Sequence, residues 1–143
     1  MLVGQRNLSE RVGQLQGGYF LGTGIWPLVS RRTFEALTGR KGDYWLAQTV
    51  GVLVSCIGGV LLTAARRKRL TPELEALGAS SAASLALIDL VFVLRGRIRR
   101  TYLLDAALET ALAAGWVARH LDRSENRVEA LRPELGDGTG ASP

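Results

Sequence analysis

Trp45 to Ala65 reads WLAQTVGVLVSCIGGVLLTAA, an uncharged run rich in Val, Leu and small residues. A bilayer's hydrocarbon core is about 30 Å thick, and a helix needs about 20 mostly apolar residues to cross it. This run has that length. Its polar residues, Gln48, Thr49, Ser55 and Thr63, are too few and too scattered to make a stripe. The helix is therefore hydrophobic all round rather than amphipathic, which argues against a soluble bundle, whose helices need a polar face.

Three further segments extend the pattern. Val12 to Ser30 is uncharged, though Gln14, Gln16, Gly17, Gly18, Gly22, Gly24 and Pro27 make it a poor soluble helix; membrane spans tolerate Gly and Pro. Ala76 to Leu94 carries only Asp89, and Thr101 to Ala118 carries Asp105 and Glu109. The expectation is an all-α fold: an up-and-down four-helix transmembrane bundle in residues 1–119, with spans at about 12–30, 45–65, 76–94 and 101–118. Residues 120–143 read as a polar tail whose last part, from Gly136, is disordered.

The charge distribution fits spans and flanks. The net charge of +5 is gathered in clusters: Arg31 and Arg32, Arg40 and Lys41, Arg66 to Arg69, and Arg95 to Arg100. A nucleic-acid binder would carry a continuous basic face instead, so nucleic acid is not an expected partner. The first apolar stretch is followed by Arg31 and Arg32 with no small-residue cleavage signal, and is expected to stay in the mature protein. The eighteen Lys and Arg divide ten to eight in favour of the side holding the termini. The expected location is therefore the inner (cytoplasmic) membrane, multi-pass, with cytoplasmic termini.

Small residues suggest how the spans pack. Gly51, Ser55 and Gly59 repeat every four residues, as do Ala107, Ala111 and Gly115, with a shorter pair at Gly18 and Gly22. Such stripes let helix backbones approach closely in lipid. Ala107 lies about 200° around the helix from Asp105, so the stripe and the acids use opposite faces.

Asp89, Asp105 and Glu109 form the main constellation. Asp89 precedes Arg95 by six residues and Asp105 follows Arg100 by five, so a tight antiparallel hairpin puts both acids roughly 8 to 9 Å below one surface. Glu109 lies one turn beyond Asp105, roughly 6 Å deeper. Ionisable groups at that depth are costly and functional by default. Two carboxylates so close do not both ionise easily, so they share a proton or hold a cation. An alternative is a clasp that fixes helix register, with Arg95, Arg97 and Arg99 as counter-charges. The first connection allows a short interfacial helix at Thr33 to Leu37, ended by Gly39. It shares a surface with the third connection, so Lys41, Asp43, Tyr44, Trp45 and Trp26 would rim an opening to the acids. The aromatic residues also suit a belt at the headgroup level.

Cys56 is the single cysteine and His120 the single histidine, which excludes an intrachain disulfide, a bis-histidine haem site, a zinc ligand set and a serine–histidine triad. No catalytic residue, metal or cofactor is assigned.

Gly24-Ile25-Trp26-Pro27, Phe34-Glu35, Thr38 to Leu46, Thr49-Val50-Gly51 and, downstream, Tyr102-Leu103-Leu104-Asp105-Ala106 resemble a group of small uncharacterised bacterial membrane proteins. The resemblance covers about Tyr19 to Trp116 and implies a four-span bacterial membrane protein without implying an activity. In size and span number the chain is also loosely similar to DoxX-like proteins. Three functions fit these residues. The favoured one is a non-enzymatic membrane protein that binds a lipid, a small amphipathic (hydrophobic) molecule or a membrane partner in a polar pocket at Asp89 and Asp105. The alternatives are a proton- or cation-coupled transporter acting as a homo-oligomer, such as a dimer, and a membrane-embedded acid/base enzyme such as an isomerase.

Overall fold

A computed structural model describes residues 2–40 and 42–136, and side chains for 8–40, 42–121, 124 and 125. Among the described residues there are five helices and no strand: α1 (Leu2–Val29), α2 (Arg31–Thr38), α3 (Tyr44–Arg66), α4 (Pro72–Leu94) and α5 (Tyr102–Gly136). Helices α3 and α4 are long and apolar enough to cross a membrane by length and composition, and only 17% of the apolar window of each is buried within the protein.

Local chemistry sets the breaks. Ser30 caps α2 by accepting from the Thr33 N–H, and Gly39 ends it at φ +91°, where a side chain would be strained. This short helix begins two residues before the expected Thr33. Thr71 caps α4 by accepting from the Leu74 N–H, with Pro72 in the first turn, where its missing N–H removes no helical bond. Gly96 (φ +66°) follows the end of α4, and its N–H reaches Val93 O while that of Arg97 reaches Phe92 O. These bonds satisfy carbonyls left open at the helix end. Lys68 takes the corresponding left-handed position after α3, at φ 55°.

Two antiparallel pairs make the body: α1 packs along α3, α4 packs along α5, and the pairs meet mainly through α1 and α5. Glycine brings α1 and α3 together. A Cβ on Gly17 would stand 2.6 Å from Leu62 N, and one on Gly24 would stand 2.5 Å from Gly51 O. Gly58 meets Phe20 and Gly17 in the same way. The contacting set is thus Gly17 and Gly24 against Gly51, Ser55 and Gly58. Gly18 and Gly22 have nothing within 4 Å, and Gly59 touches only the end of Leu21. The expected stripe at Gly18, Gly22 and Gly59 is corrected accordingly, because antiparallel helices of 3.6 residues per turn meet again after two turns, or seven residues. On α5, Ala107 and Ala111 are exposed, whereas Ala106, Glu109 and Trp116 are buried. The acid-bearing face is the packed one, and from the expected stripe only Gly115 lies against α1, at Val12.

Helix α5 continues as one element to Gly136, through most of the segment expected to be a separate polar tail. No Gly or Pro lies between Gly115 and Pro133 to stop it. Of the segment expected to be disordered from Gly136, Gly136 itself ends α5, and 137–143 lie outside the described residues.

Candidate functional site

The acids converge because three helices turn a polar residue toward the same place. Asp89 comes from α4, Asp105 and Glu109 from successive turns of α5, and Tyr19 from α1. The Tyr19 hydroxyl donates to Asp105 Oδ1. Asp105 and Asp89 lie close enough to act electrostatically on Glu109, and all three carboxylates act on Tyr19. Asp89 is 8% exposed and Glu109 2%. Glu109 Oε2 is buried and has no hydrogen-bond partner among the described residues.

The cluster has a firm floor. Gln16, one turn before Tyr19 on α1, is fully buried and joins three helices. Its Nε2 donates to Gly78 O on α4 at 2.8 Å and to Ser81 Oγ at 3.4 Å, and its Oε1 accepts from Trp116 Nε1 on α5 at 2.6 Å. Gly78 is required here, since a Cβ would stand 2.9 Å from the Trp116 indole. One turn further out, Arg119 and Glu75 pair at 3.4 Å, with both side chains 12% exposed. Buried polar side chains with partners across helices fix how those helices pack.

The connections are tied to one another. Arg99 donates to Ala36 O at 3.1 Å and Thr101 to Leu37 O at 3.3 Å, tying the third connection to the last turn of α2. Trp26 donates to Thr33 Oγ1 at 2.9 Å and meets Phe34 edge-on, while Phe34 in turn meets Tyr44. Tyr44 is buried, donates to Pro27 O at 2.6 Å and carries the Arg31 guanidinium 4.6 Å from its ring centroid.

The sequence-derived candidates therefore separate. Asp89, Asp105 and Glu109 come together. Trp26 joins the aromatic contacts between α1 and α2, Asp43 is exposed where α3 begins, and Arg95 is exposed at the end of α4. Lys41 lies outside the described residues. Among the described residues no ion pair links Asp105 or Glu109 to an arginine, and Arg99, expected as a counter-charge, bonds to α2 instead. Tyr19 and Gln16 were not among the candidates. A tyrosine well inside an uncharged run, and a glutamine one turn away from it, were the available signals.

Among the described residues, no group of three His, Cys, Asp or Glu is arranged to hold a metal ion. A cluster of buried carboxyl groups can share protons or bind a cation that brings its own hydrogen-bond donors. Comparison with protein-family models, curated proteins and solved structures finds no match.

Proposed function

We propose that all four long helices cross a membrane, with the start of α1 and the end of α5 on the cytoplasmic side. The cluster of Tyr19, Asp89, Asp105 and Glu109 binds the cationic group of a small amphipathic ligand in exchange for a proton. For the membrane, the support is the outward-facing apolar surface of α3 and α4. Helices α1 and α5 run alongside them and turn Leu15, Ile25, Leu104, Leu108 and Val117 outward, while Gln16, Tyr19 and Glu109 face inward. The outward face of both helices is mostly apolar, with Gln14 and Thr110 as exposed polar residues, and such a face is compatible with lipid.

The observation that carries the binding site is Glu109: a carboxylate 2% exposed, with one oxygen lacking a partner among the described residues, beside two more carboxylates. Three such groups in a desolvated space do not all stay ionised, so the site holds a proton until a cation replaces it. An ammonium supplies both the missing charge and the missing donor.

The test is calorimetric titration of octylammonium into the protein in neutral-lipid nanodiscs, with octanol as uncharged control and empty discs as baseline. The parent protein binds octylammonium and not octanol, and Glu109→Gln weakens binding by about 10- to 100-fold, the worth of one charge-assisted hydrogen bond. Equal binding of octanol, or unchanged affinity in Glu109→Gln, overturns the proposal.

A further inference from the structure

Away from the acids, α1 and α3 border an open groove of ≈450 Å³ lined by Arg11, Gln14, Leu15, Gly18, Leu62 and Arg66. Its two ends differ in chemistry. Arg11 and Arg66 stand at one level, one from each helix, because Gly13 packs against Ala65 beside them. Both are exposed, and no ion pair among the described residues holds either guanidinium. None of the lining residues is acidic.

From that basic mouth the groove runs along α1 to Gly18, seven residues and about 10 Å further on. Leu15, Gly18 and Leu62 make the deeper part apolar. Gly18 keeps it open: nothing lies within 4 Å of where its Cβ would be. This explains a glycine that takes no part in helix packing.

We infer that this groove seats one anionic phospholipid, its phosphate diester held between Arg11 and Arg66 and the upper part of one acyl chain lying over Leu15, Gly18 and Leu62. Guanidinium groups suit phosphate because their paired N–H donors match its oxygens. The mouth is on the side of the start of α1 and the end of α3. Under the membrane reading above, on which this inference rests, that is the cytoplasmic leaflet, where anionic lipids concentrate. Charge at the mouth and an open apolar run below it fit a lipid better than a soluble anion, which would leave the apolar part uncovered.

The test is native mass spectrometry of the protein released from neutral detergent after mixing with equal phosphatidylglycerol and phosphatidylcholine. The parent retains phosphatidylglycerol in preference, by roughly 30-fold for two arginines near the surface. Arg11→Gln with Arg66→Gln abolishes the preference. Gly18→Leu fills the groove without a clash and loses bound lipid although both arginines remain. Arg67→Gln with Arg69→Gln, in the adjacent connection, leaves the preference intact.

Equal retention of the two lipids by the parent, or full retention by Gly18→Leu, overturns the assignment. So does displacement of the lipid by excess inorganic phosphate, which would mark a bare anion site. The membrane reading is checked separately on the same protein in liposomes through Cys56, which is exposed on α3. In a bilayer it is shielded from a charged maleimide, whereas rapid labelling would refute the membrane placement itself, whatever the lipid preference.

Discussion

Gly17 and Gly18 are neighbours on α1 with opposite surroundings, so replacing each by alanine tests the packing of α1 on α3 at single-residue resolution. A Cβ on Gly17 would stand 2.6 Å from Leu62 N, 2.7 Å from Leu62 Cβ and 2.8 Å from Gly58 O. Two of those atoms are backbone, so no rotamer change can make room. To reach the 3.4 Å of ordinary contact, the helices must separate locally by about 0.8 Å. Forcing extra volume into a packed interface costs about 1–3 kcal/mol. In a soluble helix alanine would recover about 1 kcal/mol of that through its higher propensity. Separated spans stay helical in a bilayer because their backbone groups have no other partners, so little of that gain applies. Gly17→Ala is therefore expected to lose about 1–3 kcal/mol, and Gly18→Ala, with nothing within 4 Å, to stay within about 0.5 kcal/mol of the parent. The assay is reversible unfolding by SDS in mixed micelles, followed by tryptophan fluorescence. Adding Gly58→Ala to Gly17→Ala should cost less than the two singles together, because helices already parted admit both methyl groups. Equal midpoints for Gly17→Ala and Gly18→Ala, or a neutral Gly17→Ala, would refute the close approach of α1 and α3.

Gln16→Leu breaks three interhelical hydrogen bonds and strands the Trp116 N–H, and is expected to lower unfolding stability by about 2–3 kcal/mol in the same assay. Adding Trp116→Phe should cost less than additivity requires, since it removes the stranded donor; strict additivity would show that Gln16 and Trp116 are not coupled. Lys68→Gly relieves a left-handed backbone position at the end of α3 and should raise stability by about 0.5–1 kcal/mol, with some of the gain returned through the freer unfolded chain. A loss of stability there would mean that the Lys68 side chain contributes more than its backbone strain removes.

Much of this arrangement could be read from the chain, and the failures have physical causes. An uncharged run such as Trp45–Ala65 and a breaker such as Gly39 are local signals, so the long helices and the end of α2 are legible. A charge within an apolar run also stands out, which made Asp89, Asp105 and Glu109 candidates. Tyr19 and Gln16 do not stand out, because phenols and amides are ordinary in spans and their roles depend on which helices meet. The choice between Gly17 and Gly18 has the same origin. Both are glycines on one turn, and only the direction of α3 relative to α1 decides which is in contact. Arg95 and Arg99 illustrate a different limit. Sequence distance put them within reach of the acids, but long side chains take the nearest good partner, and for Arg99 that is the carbonyl of Ala36 at the end of α2.

In the function proposed, Tyr19, Asp89, Asp105 and Glu109 hold a proton that a cation replaces. The direct measurement is proton release from the protein in weakly buffered neutral nanodiscs on addition of octylammonium near pH 7, read with a pH dye and calibrated against empty discs. About one proton per bound cation is expected, with affinity falling about tenfold for each unit that the pH is lowered where the exchange is one for one, and both effects absent in Glu109→Gln. Binding with no proton released, or the same release from Glu109→Gln, would contradict the account.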